Sequence, residues 1–329
     1  MPVTPLSAKD LKSQVRQHLA ADLQVVNQIL AEQLRTSSAF VSDITEHVSR
    51  YQGKQLRPML LLLTHRMISG EATRESRMLA AAVELIHTAT LVHDDVIDEA
   101  ETRRHLATVH RRWNTETSVL LGDYLFSCSF QLAASTGDAE ACRLIGLATN
   151  RTCEGELNQM AAGLEDFTSE VDYFRIVRDK TGQLFGLSCL LGSRAGGGNN
   201  EQQRAARRFG QRLGMAFQIA DDVLDLNGPG EVTGKDAGND LQNNRRTLPI
   251  IRAMQSVPEY ERPQLRQILA EESPENLAAN GIIQAGIRSA LETAEVLTSR
   301  AMADLAHFPL CSDRRLLEAI ASFAVCREA

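Results

Sequence analysis

Two copies of one acidic pattern, D-D-x-x-D, constrain how this chain can fold. The first copy is Asp94-Asp95-Val96-Ile97-Asp98 and the second is Asp221-Asp222-Val223-Leu224-Asp225. On an α-helix the first and last aspartate of each copy lie about 6 Å apart along the axis, on one face. Carboxylates at that spacing repel one another unless a cation lies between them. The sequence therefore predicts two helices that each present an acidic cluster.

Both acidic copies follow strongly apolar stretches. The preceding apolar residues are Leu85, Ile86, Ala89, Leu91 and Val92 in one case, and Met215, Ala216, Phe217, Ile219 and Ala220 in the other. An acidic run is most often a solvated helix face, but carboxylates on an otherwise buried helix are costly without partners. Mg²⁺ is the hard divalent ion that takes oxygen ligands and leaves positions for substrate phosphates. Two such clusters facing each other would form a multi-metal clamp for a polyphosphate.

Composition excludes several other kinds of function. The chain has 329 residues, 43% of them hydrophobic and 23% charged, and no linker-like stretch separates its halves, which predicts a single domain over residues 1–329. The net charge of −7 argues against a nucleic-acid partner. The amino-terminal segment lacks the layout of a signal peptide, and the longest strongly apolar run, 59–63, is too short to cross a bilayer. We therefore expect a soluble cytoplasmic protein without a transmembrane segment.

Helical periodicity extends along most of the chain, and strand signals are nearly absent. Ser7 is placed to cap a first helix that carries the apolar residues Leu11, Val15, Leu19, Leu23 and Val26. Further helices are predicted at about 57–70, 75–98, 116–135, 138–163, 170–194, 201–226, 247–256, 262–271, 281–306 and 312–325. The predicted fold class is all-α, a single large helical bundle with the acidic motifs pointing inward from two of its helices.

Basic residues close to both acidic motifs complete a candidate anion site. Lys54 and Arg57 lie at a predicted helix start, where backbone N–H groups already favour an anion. The other cations are Arg103 and Arg104 after the first motif, Lys235 after the second, Lys180 beside Thr181, and Arg245-Arg246 before Thr247-Leu248-Pro249. Each of these alone is most often a surface cation. Their placement around the motifs indicates a diphosphate site.

Two histidines lie on the helix of the first motif. His87 is seven positions before Asp94 and lies on nearly the same helix face. A lone histidine is more often a satisfied core residue, but on this face we predict that His87 donates to a phosphate. His93 points about 100° away from Asp94 and is predicted to be structural.

Seven sequence blocks, in order and at consistent spacing, resemble the trans-isoprenyl diphosphate synthase family. Together they span residues from about 50 to 250. They are GKQLRP (53–58), ELIHTATLVHDDVIDEAETRR (84–104), GELNQ (155–159), KTG (180–182), FQIADDVLD (217–225), GKDAGNDL (234–241) and RRTLP (245–249). Within the family, the run HTATLVHDD is most similar to long-chain synthases of the octaprenyl or solanesyl type.

This resemblance implies an isoprenoid synthase fold with a central apolar cavity, a homodimer, and three Mg²⁺ ions in each active site. The implied reaction is a head-to-tail condensation of isopentenyl diphosphate with an allylic prenyl diphosphate. The allylic diphosphate is ionised, the double bond of isopentenyl diphosphate attacks the allylic cation, and a proton then passes to the released pyrophosphate.

The resemblance also implies a role for each matched residue. The metal ligands would be Asp94, Asp98 and Asp221, supported by Asp95, Asp222 and Asp225. The allylic diphosphate would be bound by Arg103, Lys180, Thr181, Gln218, Lys235 and Arg245. Isopentenyl diphosphate would be bound by Lys54, Arg57, His87 and Arg104. The residues expected to act directly in catalysis are Asp94, Asp95, Asp98, Asp221, Lys180 and Lys235.

Three departures from the family pattern involve four residues. His105 stands where the family usually has glycine after the paired arginines. Gln52 replaces the first glycine of Gly-Gly-Lys, and Asn244-Arg245 replaces Gly-Lys before x-T-L-P. Arg245 keeps the positive charge, but a planar guanidinium is not equivalent to a lysine ammonium.

Product length and two other functions stay open from the sequence. Ala89 and Thr90 are small residues before Asp94, and they favour a long product over a farnesyl or geranylgeranyl one, since aromatic side chains there would shorten the cavity. Alternatively, the end of the product cavity is formed by bulky residues on a neighbouring helix, such as Leu144 or Ile145. A non-catalytic regulatory subunit would be expected to lose aspartates from one motif, and this chain keeps all six. An acidic scaffold would not explain the cations around both motifs.

Overall fold

Helices dominate the computed structural model, which describes residues 8–51, 53–163, 169–227, 246–271 and 274–325. The first eight are α1 (Ala8–His18), α2 (Ala20–Gln33), α3 (Ala39–Ser49), α4 (Leu56–Ser69), α5 (Arg74–Ile97), α6 (Val109–Arg112), α7 (Thr115–Ala134) and α8 (Ala139–Gly163). The next eight are α9 (Glu170–Val177), α10 (Gln183–Ala195), α11 (Asn200–Asn227), α12 (Leu248–Ser256), α13 (Arg262–Glu271), α14 (Pro274–Ala279), α15 (Gly281–Asp304) and α16 (Ser312–Val325). The strands β1 (Thr102–Arg103) and β2 (Leu106–Ala107) form a short antiparallel hairpin.

Most predicted helix boundaries are confirmed to within a few residues, but two predicted helices are divided. The predicted helix 170–194 is interrupted by a π-helical turn at Arg178–Gly182, and the first predicted helix is divided as well. Leu19, with φ −104° and ψ 12°, separates α1 from α2. The five apolar residues of that stretch are nevertheless all buried, as their spacing predicts. Four elements were not predicted from the sequence: α3, α6, α14 and the hairpin. The start of α3 did carry a signal, because Ser38 caps it by accepting a hydrogen bond from the backbone of Val41 at 3.4 Å.

Contacts divide the chain into two compact units. The first comprises Met1–Thr149, Leu184–Gly210 and Asp304–Ile320, and the second comprises Asn150–Gln183, Gln211–Ala303 and Ala321–Ala329. The first acidic motif belongs to the first unit and the second motif belongs to the second. A single domain over residues 1–329 stays a prediction.

In the first unit, α5 packs against α2, α4 and α7. The stretch 60–63 of α4 is completely buried, which accounts for its unbroken run of leucines. A chain of ion pairs crosses the same unit: Asp22 lies 3.0 Å from Arg66 and 2.7 Å from Arg77, and Arg66 lies 3.1 Å from Asp313. These contacts join α2, α4, α5 and α16, and they fix the amino end of the helix that carries the first motif.

In the second unit, one face of α11 is buried in an apolar core. Ile219 and Val223 pack there in a cluster that also contains Ile250 of α12 and Ile287 of α15. This packing fixes the rotation of α11 about its axis and thereby the direction of the second acidic motif. Over the described residues, no helix combines the length and the apolar character that crossing a membrane requires.

Candidate active site

The first acidic motif lies at the carboxyl end of α5. The helix begins with a capping box in which Thr73 and Ser76 exchange hydrogen bonds. It ends at Ile97, and the capping residue Asp98 donates from its backbone N–H to the carbonyl of Asp94 at 2.8 Å. Asp95 is only 1% exposed, whereas Asp94 and Asp98 are partly exposed. The outer two carboxylates therefore stay accessible to a ligand, and the middle one is held within the protein.

The β1–β2 hairpin, which follows α5, places Arg103 next to the carboxyl end of that helix. Its guanidinium donates to the Asp95 carboxylate, with Nη2 at 2.7 Å and Nε at 2.8 and 2.9 Å from the carboxylate oxygens. Burial disfavours the charged form of Arg103, but the hydrogen-bonded Asp95 and the charge of Asp94 together raise its pKa. Arg103 is therefore fixed as a cation beside the accessible part of the motif.

The turn of this hairpin explains why the family usually has glycine at position 105. Arg104 and His105 both have left-handed backbone conformations, with φ of 52° and 65°. Two-residue hairpin turns with positive φ at both positions favour glycine, and a side chain there costs roughly 1 kcal/mol or more. His105 keeps the turn but reduces the stability of the hairpin that carries Arg103.

The second arginine of the pair, Arg104, lies over the loop that carries Lys54. Its Nη1 donates to the carbonyl of Tyr51, and its guanidinium rests directly on Gly53, where any side chain would overlap it. The glycine of the GKQLRP block therefore leaves the space that the Arg104 guanidinium occupies here, and a side chain at this position would displace that guanidinium. The side chain of Lys54 is exposed next to this contact.

The amino-terminal helices hold the same loop in position. Arg16 of α1 donates to the carbonyl of Gly53 at 3.2 Å. Gln55, which has a left-handed backbone (φ 52°), donates from its side-chain amide to Asn27 of α2 at 2.8 Å. Arg57 follows in the first turn of α4 and lies over the ring of Phe185, with Cζ 4.8 Å from the ring centroid.

The charges of these arginines shift the pKa values of two titratable residues of α5. Burial, together with the charges of Arg57, Arg103 and Arg104, holds the pKa of His87 well below its usual range. The imidazole is therefore neutral near pH 7 and has one N–H to donate. Burial raises the pKa of Glu84, opposed by the charges of Arg57 and Arg104. Glu84 could not be predicted as part of the site, since a single glutamate on a helix carries no functional signal.

The second motif, on α11, repeats the burial pattern of the first. Asp222 is 4% exposed, whereas Asp221 and Asp225 are partly exposed. Asp222 accepts hydrogen bonds from the hydroxyl of Tyr173 at 2.6 Å and from Nε2 of Gln218 at 2.9 Å. In both motifs, then, protein donors hold the middle aspartate while the outer two stay accessible. No pattern in the sequence pointed to Tyr173.

A π-helical turn, Arg178–Gly182, separates α9 from α10 and carries Lys180 and Thr181. Lys180 Nζ lies 2.5 Å from Glu156 Oε2 and 2.8 Å from Gln159 Oε1. Thr181 Oγ1 donates to Gln218 at 2.8 Å. Such turns inside helices are frequent at functional sites. They bring side chains into positions that a regular helix does not offer.

Gly155 explains a further part of the resemblance, the block GELNQ. This glycine of α8 lies so close to the backbone of Lys180 that an added Cβ would collide with it. The close approach lets Glu156 and Gln159 reach the Lys180 ammonium. The glycine and the two polar residues after it therefore act together on one lysine.

Lys180, Thr181 and Gln218 line one cavity of the second unit. The other polar residues of its lining include Gln159, Asp222 and Arg246, and part of its apolar wall is formed by Ile176 and Val177. A cavity with cations and amide groups beside an apolar wall fits an anionic head attached to an apolar tail. Lys235 and Arg245, like Gln52 and Asn244, lie outside the described residues.

Ala89 and Thr90 differ in accessibility. Ala89 is completely buried, whereas Thr90 is partly exposed and donates from Oγ1 to the carbonyl of His87 at 2.8 Å. Ile145, which was named as an alternative residue at the end of the product cavity, is also completely buried. His93 Nε2 lies 3.1 Å from the carbonyl of Val119, a contact in keeping with its predicted structural role.

The carboxylates present fit magnesium bound together with a phosphate ligand. Within the described ranges, no three acidic, histidine or cysteine side chains converge closely enough to hold a metal ion on their own. Mg²⁺ does not need such a cage, because it is commonly bound by one or two carboxylates, with water and substrate phosphates as the remaining ligands. Asp94 with Asp98, and Asp221 with Asp225, supply such carboxylates one helical turn apart.

A helical protein with two such motifs, each accompanied by fixed cations, is a synthase of the trans-prenyl diphosphate type. The model of the polyprenyl synthetase family matches residues 38–320. The chain therefore belongs to the polyprenyl synthetase family and is a prenyltransferase.

Characterised relatives and solved structures agree with this assignment. The chain is 35% identical to an all-trans-nonaprenyl-diphosphate synthase (geranyl-diphosphate specific) of Rhodobacter capsulatus, over 80% of this chain and 81% of that one. It is 31% identical to a nonaprenyl diphosphate synthase of Mycobacterium tuberculosis, over 99% of this chain and 98% of that one. A polyprenyl synthase structure from Caulobacter crescentus, complexed with calcium and isoprenyl diphosphate, matches at a TM-score of 0.90 and 32% identity, over 100% of both chains. These matches confirm the all-α isoprenoid synthase fold.

Proposed function

We propose that this prenyltransferase condenses isopentenyl diphosphate head-to-tail with an allylic prenyl diphosphate, using Mg²⁺, to give a long all-trans polyprenyl diphosphate. The observation that carries the proposal is the arrangement shared by the two motifs, in which Asp95 and Asp222 are held by protein donors while the outer aspartates stay accessible. The Caulobacter structure with calcium and isoprenyl diphosphate supports a divalent cation and a diphosphate as ligands.

The allylic diphosphate is the proposed ligand of both motifs. Asp94, Asp98, Asp221 and Asp225 would hold the metal, at three ions per site by family resemblance. Bound Mg²⁺ would stabilise the negative charge that develops on the departing diphosphate. Arg103 would add a fixed positive charge, and Lys180, Thr181 and Gln218 would orient the same group. Lys235 and Arg245 join this set on family resemblance.

Isopentenyl diphosphate is the proposed ligand of the cations at the start of α4 and in the hairpin. Lys54, Arg57 and Arg104 would bind its diphosphate without metal, and neutral His87 would donate one hydrogen bond to it. Cleavage of the allylic C–O bond leaves a carbocation, which the double bond of isopentenyl diphosphate attacks to form the new C–C bond. The proton lost from the isopentenyl unit passes to the released pyrophosphate. An apolar wall protects the carbocation from water.

A long product is favoured over a farnesyl or geranylgeranyl one by two observations. The relatives described above from Rhodobacter capsulatus and Mycobacterium tuberculosis both make nonaprenyl diphosphate by name. Ala89 and Thr90 are small, so the helix before the first motif leaves room for a growing chain. The product length of this chain is the part of the proposal that an assay decides directly.

A homodimer is also proposed. Helix α7 exposes apolar side chains, with Val119 43%, Leu120 68% and Phe130 39% exposed, and contiguous exposed apolar surface commonly marks an interaction site. Light scattering during gel filtration would measure the oligomeric state. Leu120→Arg should reduce the dimer fraction if α7 forms the interface. A cytoplasmic location stays a prediction, which cell fractionation would test.

The decisive experiment incubates the purified chain with isopentenyl diphosphate, Mg²⁺ and a panel of allylic primers, followed by chain-length analysis. We expect products longer than C20 and no turnover after chelation of the metal. Products of C15–C20 would instead identify a short-chain synthase. If the purified chain alone gave no product and a second synthase subunit restored activity, this chain would be identified as a regulatory subunit.

A further inference from the structure

The hairpin that carries Arg103 and Arg104 is too small to hold its own position. Its strands contain two residues each and pair in antiparallel register. An isolated two-stranded hairpin is at best marginally stable in water, and the left-handed conformations of Arg104 and His105 (φ 52° and 65°) add strain. Contacts from other elements must therefore fix its position.

One set of such contacts comes from α3 and the residues just after it. His47 of α3 and Tyr51, just beyond its end, both bond to the backbone carbonyl of Ala107 in β2. His47 Nε2 lies 2.8 Å from that oxygen, and the Tyr51 hydroxyl donates to it at 3.0 Å. Both side chains are buried, in residues only 4% and 3% exposed. A carbonyl oxygen has two lone pairs, so these two donors satisfy it completely.

Arg112 determines which nitrogen of His47 carries the proton. Its Nη1 donates to Nδ1 of the imidazole at 2.9 Å, and a guanidinium has no acceptor. Nδ1 is therefore unprotonated, and the ring is the neutral tautomer whose Nε2–H donates to Ala107. The same guanidinium lies over the Trp113 ring, with Cζ 4.4 Å from the centroid, and that ring meets the imidazole edge-on at a centroid distance of 5.3 Å. The imidazole is thus held from two sides with its donor directed at the hairpin.

Tyr51 holds the hairpin at a second point. Its own carbonyl accepts a hydrogen bond from Nη1 of Arg104, while its hydroxyl reaches Ala107. One residue therefore contacts both the turn and the second strand. Burial, followed by the charge of Asp95, raises the pKa of the Tyr51 phenol, so the hydroxyl keeps the proton that it donates.

We propose that His47 and Tyr51 are positioning residues that fix the β1–β2 hairpin, and with it Arg104, for the diphosphate of isopentenyl diphosphate. They act through Arg104 rather than on the substrate itself. Arg103 depends on them less, because the Asp95 carboxylate holds its guanidinium directly. The inference rests on the proposed function, which assigns Arg104 to isopentenyl diphosphate.

Steady-state kinetics test this division between the substrates. Tyr51→Phe and His47→Leu each remove one hydrogen bond to Ala107, so the KM for isopentenyl diphosphate should rise about three- to tenfold, with little change in kcat or in the KM for the allylic diphosphate. His47→Gln keeps an N–H for the same carbonyl and should stay close to the wild type. The matched control is His65→Leu, which should change neither KM. His65 of α4 is completely buried, and its Nε2 lies 3.0 Å from the carbonyl of Glu71, away from the hairpin.

A double-mutant cycle tests whether the effect passes through Arg104. In an Arg104→Gln background, adding Tyr51→Phe should raise the KM for isopentenyl diphosphate no further, because the arginine that the hydroxyl positions is absent. A purely structural role would instead give two effects that multiply, and that result would overturn the proposal. Wild-type KM values in both Tyr51→Phe and His47→Leu would overturn it as well.

Hydrogen exchange without substrate tests the same contacts independently of turnover. Tyr51→Phe should speed the exchange of backbone amides at 102–108 and leave those of α7 unchanged, because only the hairpin loses a contact. Unchanged exchange at 102–108, or faster exchange throughout the protein, would contradict a role confined to the hairpin. The proposed function fails separately. A wild-type protein that is inactive with every primer refutes that function, whereas an active wild type with unaffected variants refutes only the positioning role.

Discussion

Arg103 and Asp95 form a buried ion pair, with Nη2 2.7 Å from Oδ1 and side-chain exposures of only 13% and 1%. The pair joins the hairpin to the end of α5, so it fixes an arginine next to the accessible aspartates. Because neither group has ready access to water, each depends on the other to compensate its burial. The middle aspartate of the first motif therefore has a structural task, which is to compensate the buried Arg103.

Substitution within the first motif should separate these tasks. Asp95→Asn leaves the buried guanidinium without its counter-charge, and we expect the free energy of unfolding to fall by about 3 kcal/mol. Asp94→Asn should remain near the wild-type value, since Asp94 is partly exposed and its loss relieves repulsion within the motif. Urea unfolding of both variants measures the difference. Equal stability of the two would contradict the structural role of Asp95.

The accessible aspartates should matter for turnover instead. Asp94→Asn and Asp221→Asn each remove a proposed metal ligand, so kcat should fall by about a hundredfold or more while the thermal midpoint stays near or above that of the wild type. Steady-state assays at saturating Mg²⁺ provide the measurement. Near-wild-type turnover in both variants would refute the assignment of the motifs to the metal.

His105→Gly should stabilise the protein. The left-handed backbone at this position (φ 65°) disfavours a side chain by roughly 1 kcal/mol, and the greater freedom of glycine in the unfolded chain offsets part of that gain. We expect a net increase of about 0.5 kcal/mol in the free energy of unfolding. His105→Ala is the control, because alanine experiences the same strain and should change little. A loss of stability in His105→Gly would show that the imidazole makes a compensating contact.

The two diphosphate sites should separate in their kinetics. Arg57→Gln removes a proposed ligand of isopentenyl diphosphate, and its KM for that substrate should rise about tenfold or more, with little change for the allylic diphosphate. His87→Gln should have a smaller effect, since a carboxamide, like a neutral imidazole, has an N–H that can donate to the diphosphate. Lys12→Gln, at an exposed cation of α1, is the control. An equal rise for both substrates in Arg57→Gln would argue against separate sites.

Product length should respond to bulk before the first motif. Thr90→Phe should shift products towards C15–C20 and leave the first condensation largely intact, because a dense interior cannot yield further space without strain. Ala89→Phe should do the same, at a cost of about 1–3 kcal/mol in stability because Ala89 is completely buried. Val171→Phe, at a 69% exposed position of α9, is the control. Unchanged products from both folded variants would show that the chain grows along another path.

The helices could be predicted from the sequence because their signals are local. Periodic apolar residues and caps such as Thr73 determine where α5 begins, and the same periodicity marks the buried face of α11. The break at Leu19 could not be predicted, because the apolar spacing continues unchanged through it. The hairpin at 102–107 was missed for a related reason: its strands are two residues long, too short for an alternating pattern.

The aspartates of the site could also be predicted, but the groups that hold them could not. The pattern D-D-x-x-D treats its members alike, whereas burial separates Asp95 and Asp222 from the rest. Their partners Arg103 and Tyr173 are, respectively, eight residues along the chain and forty-nine residues away from the aspartates that they contact. Contacts of that kind depend on tertiary packing, and no residue spacing in a single sequence encodes them.

The π-helical turn at Arg178–Gly182 makes this part of the protein sensitive to the number of residues rather than only to their identity. A π turn contains one residue more than the α-helical turn that it replaces. Removing any one residue there would restore a regular helix and rotate everything beyond it by about 100°. The contacts on the two sides of the turn could then no longer form together. These are the contacts of Lys180 with Glu156 and Gln159, and the hydrogen bond from Tyr173 to Asp222. Related chains should therefore align across this segment without a gap.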